Sequence, residues 1–134
     1  MKAVNAKVSR ALTQGSVLTT CDNSGAKVIK IVSVKKRQTT TKKRMPTVGV
    51  GDIFFASVKK GKPEMRKQVV LAVLVRQRKE YRRPDGTRVK FEDNSAVILK
   101  DDKGNPKGTL LKGPIAKEVA GRWPGISKIA SIIL

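Results

Sequence analysis

The reactive inventory of this chain is almost entirely cationic. Arg76, Arg78, Lys79, Arg82, Arg83 and Arg88 crowd into one short stretch, with Tyr81 among them. A second run extends from Lys35 to Arg44 without an acid: Lys35, Lys36 and Arg37, then Gln38 and three threonines, then Lys42, Lys43 and Arg44. A third group, Lys59, Lys60 and Lys62, flanks Gly61 and Pro63. Lysine and arginine at this density neutralise phosphates, and arginine adds a planar fork that grips phosphate oxygens in pairs. Tyr81 can stack on a base, but with aromatic residues at only 4% of the chain, recognition of single strands by serial stacking is poorly supported. A solvated hairpin that protects a sheet edge is the plain alternative for the densest cluster, and the two roles are compatible.

Catalytic groups are scarce. There is no histidine and one cysteine, Cys21. That removes the commonest general base, every Ser-His or Cys-His pair, an internal disulfide and the usual zinc clusters. The adjacent Asp101 and Asp102 sit between Lys100 and Lys103 in a turn-rich segment, so they read as a solvated turn rather than a carboxylate pair. Gly49-Val50-Gly51-Asp52 lacks the Gly-Lys-Ser/Thr ending of a phosphate loop and reads as a tight turn into a strand. No catalytic constellation, metal or cofactor is expected.

The elements that must position the cations follow from the apolar pattern. Val17 to Cys21 and Lys27 to Val34 are strand-like, joined by the turn chemistry of Asp22-Asn23-Ser24-Gly25. Ile53 to Val58 is a third strand. The unbroken apolar run Val69 to Val75 predicts a strand buried on both faces, as in the wall of a small closed barrel. Arg76 to Glu92 then forms a basic hairpin around Pro84-Asp85-Gly86, held between that strand and a last core strand, Ala96 to Leu99. Ile115 and Val119 suit a short helix starting near Pro114, and Ile126, Ile129, Ala130 and Ile133 continue at helical spacing. Trp123 reads as a packing residue. The expected organisation is a basic N-terminal arm over 1–15, a barrel with basic loops and hairpin over 16–100, and a C-terminal loop with short helices over 101–134.

Thirty basic residues against ten acidic ones give 134 residues a net charge of +20. Such self-repulsion is relieved by a polyanion. Nucleic acid is the leading class. A membrane partner is not expected, since there is no long apolar span, signal-peptide layout or lipidation motif, and the expected location is intracellular. A general nucleic-acid-binding or chromatin-like basic protein stays open at this level.

Ordered blocks along the chain narrow the choice. They include Asp22-Asn23-Ser24-Gly25-Ala26-Lys27, Gly49-Val50-Gly51-Asp52, Val58-Lys59-Lys60-Gly61-Lys62-Pro63, Val75-Arg76-Gln77-Arg78-Lys79 and Tyr81-Arg82-Arg83. Asp85-Gly86, Phe91-Glu92-Asp93-Asn94, Gly108-Thr109 and Gly113-Pro114-Ile115-Ala116-Lys117-Glu118 complete the set. From Gly15 onward the chain resembles the large-ribosomal-subunit protein family L-fourteen, in its archaeal and eukaryotic cytosolic form. The resemblance implies a mainly β fold: a small five-stranded antiparallel β-barrel with a projecting basic β-hairpin and a short helical C-terminal region. It implies a structural role in the cytoplasmic ribosome, binding large-subunit rRNA and meeting small-subunit rRNA across the interface. It also implies ribosomal proteins L-three and L-twenty-four-e as neighbours. A surface for anti-association factors would lie around Gly108, Thr109, Gly113, Pro114, Lys117 and Glu118. Cys21 departs from the small apolar residue usual there and is expected to be a buried structural thiol.

Overall fold

A computed structural model of the protein describes residues 2–35 and 45–134. In chain order the described elements begin with strands β1 (Leu12–Thr13), β2 (Val17–Thr20), β3 (Ala26–Val34), β4 (Thr47–Val48), β5 (Ile53–Gly61) and β6 (Val69–Arg76). The hairpin strands β7 (Tyr81–Arg82) and β8 (Arg88–Val89) follow, then β9 (Ser95–Leu99), β10 (Pro114–Ile115), helices α1 (Lys117–Arg122) and α2 (Pro124–Ile129), and β11 (Ile132–Ile133).

Strands β2, β3, β5, β6 and β9 close a barrel in that order. Neighbours pair antiparallel from β2 round to β9, and the seam between β9 and β2 is parallel, with Thr19 opposite Ser95 and Thr20 opposite Ala96. The expected barrel is therefore present with one refinement. A ring with an odd number of strands cannot alternate direction all the way round, so one seam must be parallel.

Strand alternation explains why β6 and β9 are apolar on both faces. Side chains of successive residues point to opposite sides. Ala72, Leu74, Ala96 and Ile98 join Leu18, Ile29, Ile31, Phe54, Ala56 and Val58 in one cluster that fills the barrel. Val73, Val75, Val97 and Leu99 belong to a second cluster on the outside, roofed by Ile115, Val119, Trp123 and Ile126. Trp123 is a packing residue, as its solitary place among breakers predicts: it is buried, and its Nε1 donates to the Gly51 carbonyl at 2.9 Å. Pro124 stands in the first turn of α2 and separates it from α1. The helical spacing ends sooner than expected. Ile132 and Ile133 leave α2 to pair in parallel with Pro114 and Ile115, because the backbone of this last segment bonds across to β10 and to Lys117.

The expected turn at Gly49-Val50-Gly51-Asp52 is held by its own aspartate. Asp52 donates its N–H to the Gly49 carbonyl and accepts the Gly49 N–H on its carboxylate, both at 3.0 Å. Arg10 donates to the same carboxylate at 2.9 Å, and Arg122 lies 3.6 Å away. The N-terminal stretch is thus attached to its own chain: Lys7 bridges Arg82, and β1 pairs with β4.

Arg76 fixes the root of the hairpin. Its guanidinium is buried and donates to both oxygens of Asp93 (2.9 and 3.0 Å), to Ser95 Oγ (3.0 Å), and to the carbonyls of Lys112 and Pro114 (2.9 Å each). One side chain therefore ties the end of β6, the start of β9 and the entry to β10. Gly113 leaves room for it: its φ is +77°, and a Cβ there would stand 2.7 Å from Arg76 Nη1.

Two variants should break this clamp. Arg76→Met should lower unfolding free energy by about 2–3 kcal/mol, since it strands buried acceptors. Gly113→Ala should cost about 1–2 kcal/mol for the left-handed backbone alone, plus the displaced guanidinium. Measured by urea unfolding, the double variant should lose less than the sum, because both act on one contact set; strict additivity would reject the clamp. The clamp should also be acid-sensitive. Burial pushes the Asp93 carboxyl up, but hydrogen bonds from Arg76 and Ser95 outweigh it and hold it below the usual aspartate range. Its stabilisation is therefore complete above the unfolded value of about 3.9 and is lost as pH falls through the lower folded value.

Candidate nucleic-acid interface

The hairpin is a two-faced ribbon. β7 and β8 pair Tyr81 with Val89 and Arg82 with Arg88, and the tip closes through Arg83 and Thr87, with Asp85 accepting the Thr87 N–H at 2.9 Å. Alternation sends Tyr81 and Arg82 to opposite faces. Tyr81 is buried and Arg82 exposed. Arg78, Lys79, Arg88 and Lys90 are exposed as well, so the ribbon presents a cationic outer edge. Three exposed acids temper it, Glu80, Asp85 and Glu92. Glu80 pairs with Arg88 at 2.9 Å, and an exposed pair of this kind is worth little and opens readily to an incoming phosphate.

Four residues expected at interfaces lie inside instead: Arg76, Tyr81, Glu118 and, in the loop described below, Gly108. Arg76 is the buried clamp described above. Tyr81 is 1% exposed and donates its hydroxyl to Glu118 Oε2 at 2.7 Å, so its ring is not available to stack on a base. Glu118, expected on a docking surface, is buried against the hairpin. Its Oε1 accepts Arg83 Nε at 2.7 Å, and Arg83 also donates to the Leu134 carbonyl at 2.7 Å. Burial pushes the Glu118 carboxyl up, yet the hydrogen bonds from Arg83 and Tyr81 hold it below the ordinary glutamate value. Burial, then the Glu118 carboxylate, push the Tyr81 phenol well up. In each case the partner lies far along the chain, and that distance decides burial against the local run of charge.

The other basic groups divide. Lys59, Lys60 and Lys62 are exposed around the turn between β5 and β6, joined by Arg66 and Lys67, which the sequence reading did not single out. Met65 is buried under this turn and closes the barrel beneath it. Lys67 is the one non-glycine residue with positive φ (63°) among the described residues. Lys35 pairs with Asp102. Lys36, Arg37, Lys42, Lys43 and Arg44 lie outside the described residues.

Of the remaining expected docking residues, Thr109, Gly113 and Lys117 are exposed, Pro114 is half-buried and Gly108 is buried. Asn23 organises this loop: its Oδ1 accepts the N–H groups of Thr109 (2.8 Å) and Leu110 (3.3 Å), and its Nδ2 donates to Thr109 Oγ1 (3.0 Å). A Cβ on Gly108 would stand 2.6 Å from Asn23 Oδ1, so glycine there serves this contact. Leu110 is 66% exposed on the loop. The Asp22-Asn23 pair, which reads as turn chemistry, thus also anchors a loop far along the chain. Asp101 accepts the N–H groups of Lys103 and Asn105 and is part of a local turn. Burial pushes the Cys21 thiol up to about 11, consistent with an inert core position.

What the arrangement can do is bind anions on fixed cations without chemistry. A family model described as ribosomal protein L14p/L23e matches residues 11–134. The large ribosomal subunit protein uL14 of Methanococcus vannielii is 53% identical over 133 residues, covering 99% of each chain. That of Nanoarchaeum equitans is 53% identical over 134 residues, covering both chains in full, and that of Methanocella arvoryzae is 51% identical over 134 residues with the same coverage. With the family matched across barrel, hairpin and C-terminal helices alike, the chain belongs to the ribosomal protein L14p/L23e family.

Proposed function

We propose that this chain is a structural, non-enzymatic constituent of the large ribosomal subunit in the cytoplasm, and that it binds large-subunit rRNA through the outer edge of its hairpin. The carrying observation is the separation of charge within that hairpin: Arg78, Lys79, Arg82 and Arg88 face out while Tyr81 and Arg83 are turned in to Glu118. The exposed basic turn of Lys59, Lys60 and Lys62 adds to the phosphate-facing surface. Binding is to the sugar–phosphate backbone of folded RNA. A rigid cationic edge reads the spacing of phosphates and not base identity.

The same reading places part of the surface toward other partners. A subunit-interface position would bring small-subunit rRNA within reach and set L-three and L-twenty-four-e proteins alongside. The loop around Thr109 and the exposed Gly113 and Lys117 offer a largely preformed patch for an anti-association factor. Asn23 holds that patch in one shape, which lowers the ordering cost of docking.

Binding should weaken steeply with salt. With six to ten phosphates engaged, affinity for deproteinised large-subunit rRNA should fall by about 10³–10⁵ between roughly 50 and 200 mM salt. Replacing Arg78, Lys79 and Arg82 together with glutamine should reduce the slope of log K against log salt by about 2–3. Unfolding free energy should change by no more than about 0.5 kcal/mol. An unchanged slope in filter binding would remove the hairpin edge from the interface. Equal affinity for a random-sequence DNA duplex of the same length would favour a general nucleic-acid binder.

A further inference from the structure

The hairpin has little of its own to hold it. Its ladder contains two residue pairs, and an isolated two-stranded ribbon is marginal in water. Its cations repel one another. Its orientation therefore depends on ties to the body. Arg76 secures the root, and Lys7 exchanges backbone hydrogen bonds with Arg82 at 3.0 and 3.4 Å. Toward the tip the tie is a single carboxylate. Both oxygens of Glu118 are taken by hairpin side chains: Tyr81 Oη on Oε2, Arg83 Nε on Oε1, and Arg83 Nη2 on Oε2 at 3.4 Å. The Arg83 fork reaches on to the Leu134 carbonyl, which also accepts the Lys117 N–H, so the tie joins hairpin, α1 and the last strand.

We propose that Glu118 is the positioning residue of the RNA-contacting hairpin: from inside the fold it holds Tyr81 and Arg83, and so presents Arg78, Lys79, Arg82 and Arg88 outward in one orientation. This rests on the hairpin reading given above. Glu118 touches no RNA. It acts by removing the freedom that the ribbon would otherwise lose on binding. Its neighbour Lys117 is exposed on the same helix and, apart from an electrostatic pull on the exposed Asp85 at the tip, holds no hairpin side chain, which separates the two residues functionally. Lys117 belongs to the outer surface and Glu118 to the hairpin's support.

The test uses the full chain with Glu118→Gln, Glu118→Ala and Lys117→Gln. Glu118→Gln keeps the shape of the side chain and removes the charge that serves two donors, so it reports even where the alanine variant fails to fold. Three readouts are taken: amide hydrogen exchange, filter binding to deproteinised large-subunit rRNA, and alkaline absorbance of Tyr81, the sole tyrosine. In Glu118→Gln, exchange across Tyr81 to Val89 should accelerate by about tenfold while β3, β5 and β6 keep their protection. Tyr81 should titrate closer to its ordinary value of about 10. RNA affinity should weaken by about three- to tenfold with the salt slope unchanged, since no phosphate contact has been removed. Lys117→Gln should leave hairpin exchange as it was.

Unchanged hairpin exchange in Glu118→Gln overturns the positioning role. So does equal loosening in Lys117→Gln, which would trace the effect to α1 and not to the carboxylate. A hairpin that loosens while RNA affinity holds would keep Glu118 as its support but overturn the hairpin as the RNA contact. The two failures are thereby told apart.

Discussion

The whole assembly turns on Arg76, a guanidinium buried where barrel, hairpin and C-terminal segment meet. Removing such a group from water is costly unless its donors are satisfied. Here it donates five hydrogen bonds, to Asp93, Ser95 and two backbone carbonyls. The consequence reaches in both directions along the chain. Asp93 and Ser95 set where β9 begins, and β9 closes the barrel against both β6 and β2. Lys112 and Pro114 set where the chain returns across the outside of the barrel, and the helices that roof β6 and β9 follow from there. Gly113 is glycine because the guanidinium occupies the space a side chain would need.

The ten acids are deployed to serve this architecture against a net charge of +20. Asp52 holds a turn and draws Arg10 and Arg122 toward it. Asp22 accepts the buried Ile98 N–H. Asp93 and Glu118 hold the hairpin at its root and toward its tip. Asp22, Asp52, Asp93 and Glu118 are buried or half-buried and do little to screen the outer surface, whereas Glu64, Glu80, Asp85, Glu92 and Asp102 are exposed. The protein gains internal order from its buried negative charges and keeps a predominantly positive exterior. A surface built this way attracts a polyanion from a distance and loses that attraction as salt rises.

How legible this was depends on the range of the interactions. The barrel strands were readable because β-branched runs and turn residues are local signals: the run from Val69 is buried on both faces over Ala72 to Val75, though Val69 itself is exposed, and Asp22 to Gly25 carries its own turn. The odd strand count even fixes the parallel seam. Tyr81, Arg76 and Glu118 were not readable in the same way. Each sits in a polar, charged neighbourhood and is buried by partners far away in sequence, Glu118 lying 37 residues from Tyr81. Local charge density marks them as surface, and only the tertiary pairing reverses that. Ile133 failed for a related reason. Helical spacing over a few residues does not compete with a strand partner, and Pro114–Ile115 supplies one.

A fold that carries this much like charge is working against itself. Each exposed cation on the hairpin raises the energy of its neighbours, and the ribbon's two-pair ladder contributes little to oppose that. The internal carboxylates hold the ribbon in place but leave its outer edge unneutralised. A polyanion bound as proposed would complete what they begin: it would lower the repulsion on the outer face while Arg76 and Glu118 hold the inner one. Any ligand that binds only the folded state stabilises it by mass action. On the proposed function, stability and RNA contact would be coupled through one hairpin but through different arginines. Those whose guanidinium groups are turned inward to carboxylates, Arg76 and Arg83, maintain the shape, and those left outside, Arg78, Arg82 and Arg88, are the ones exposed to the polyanion proposed above.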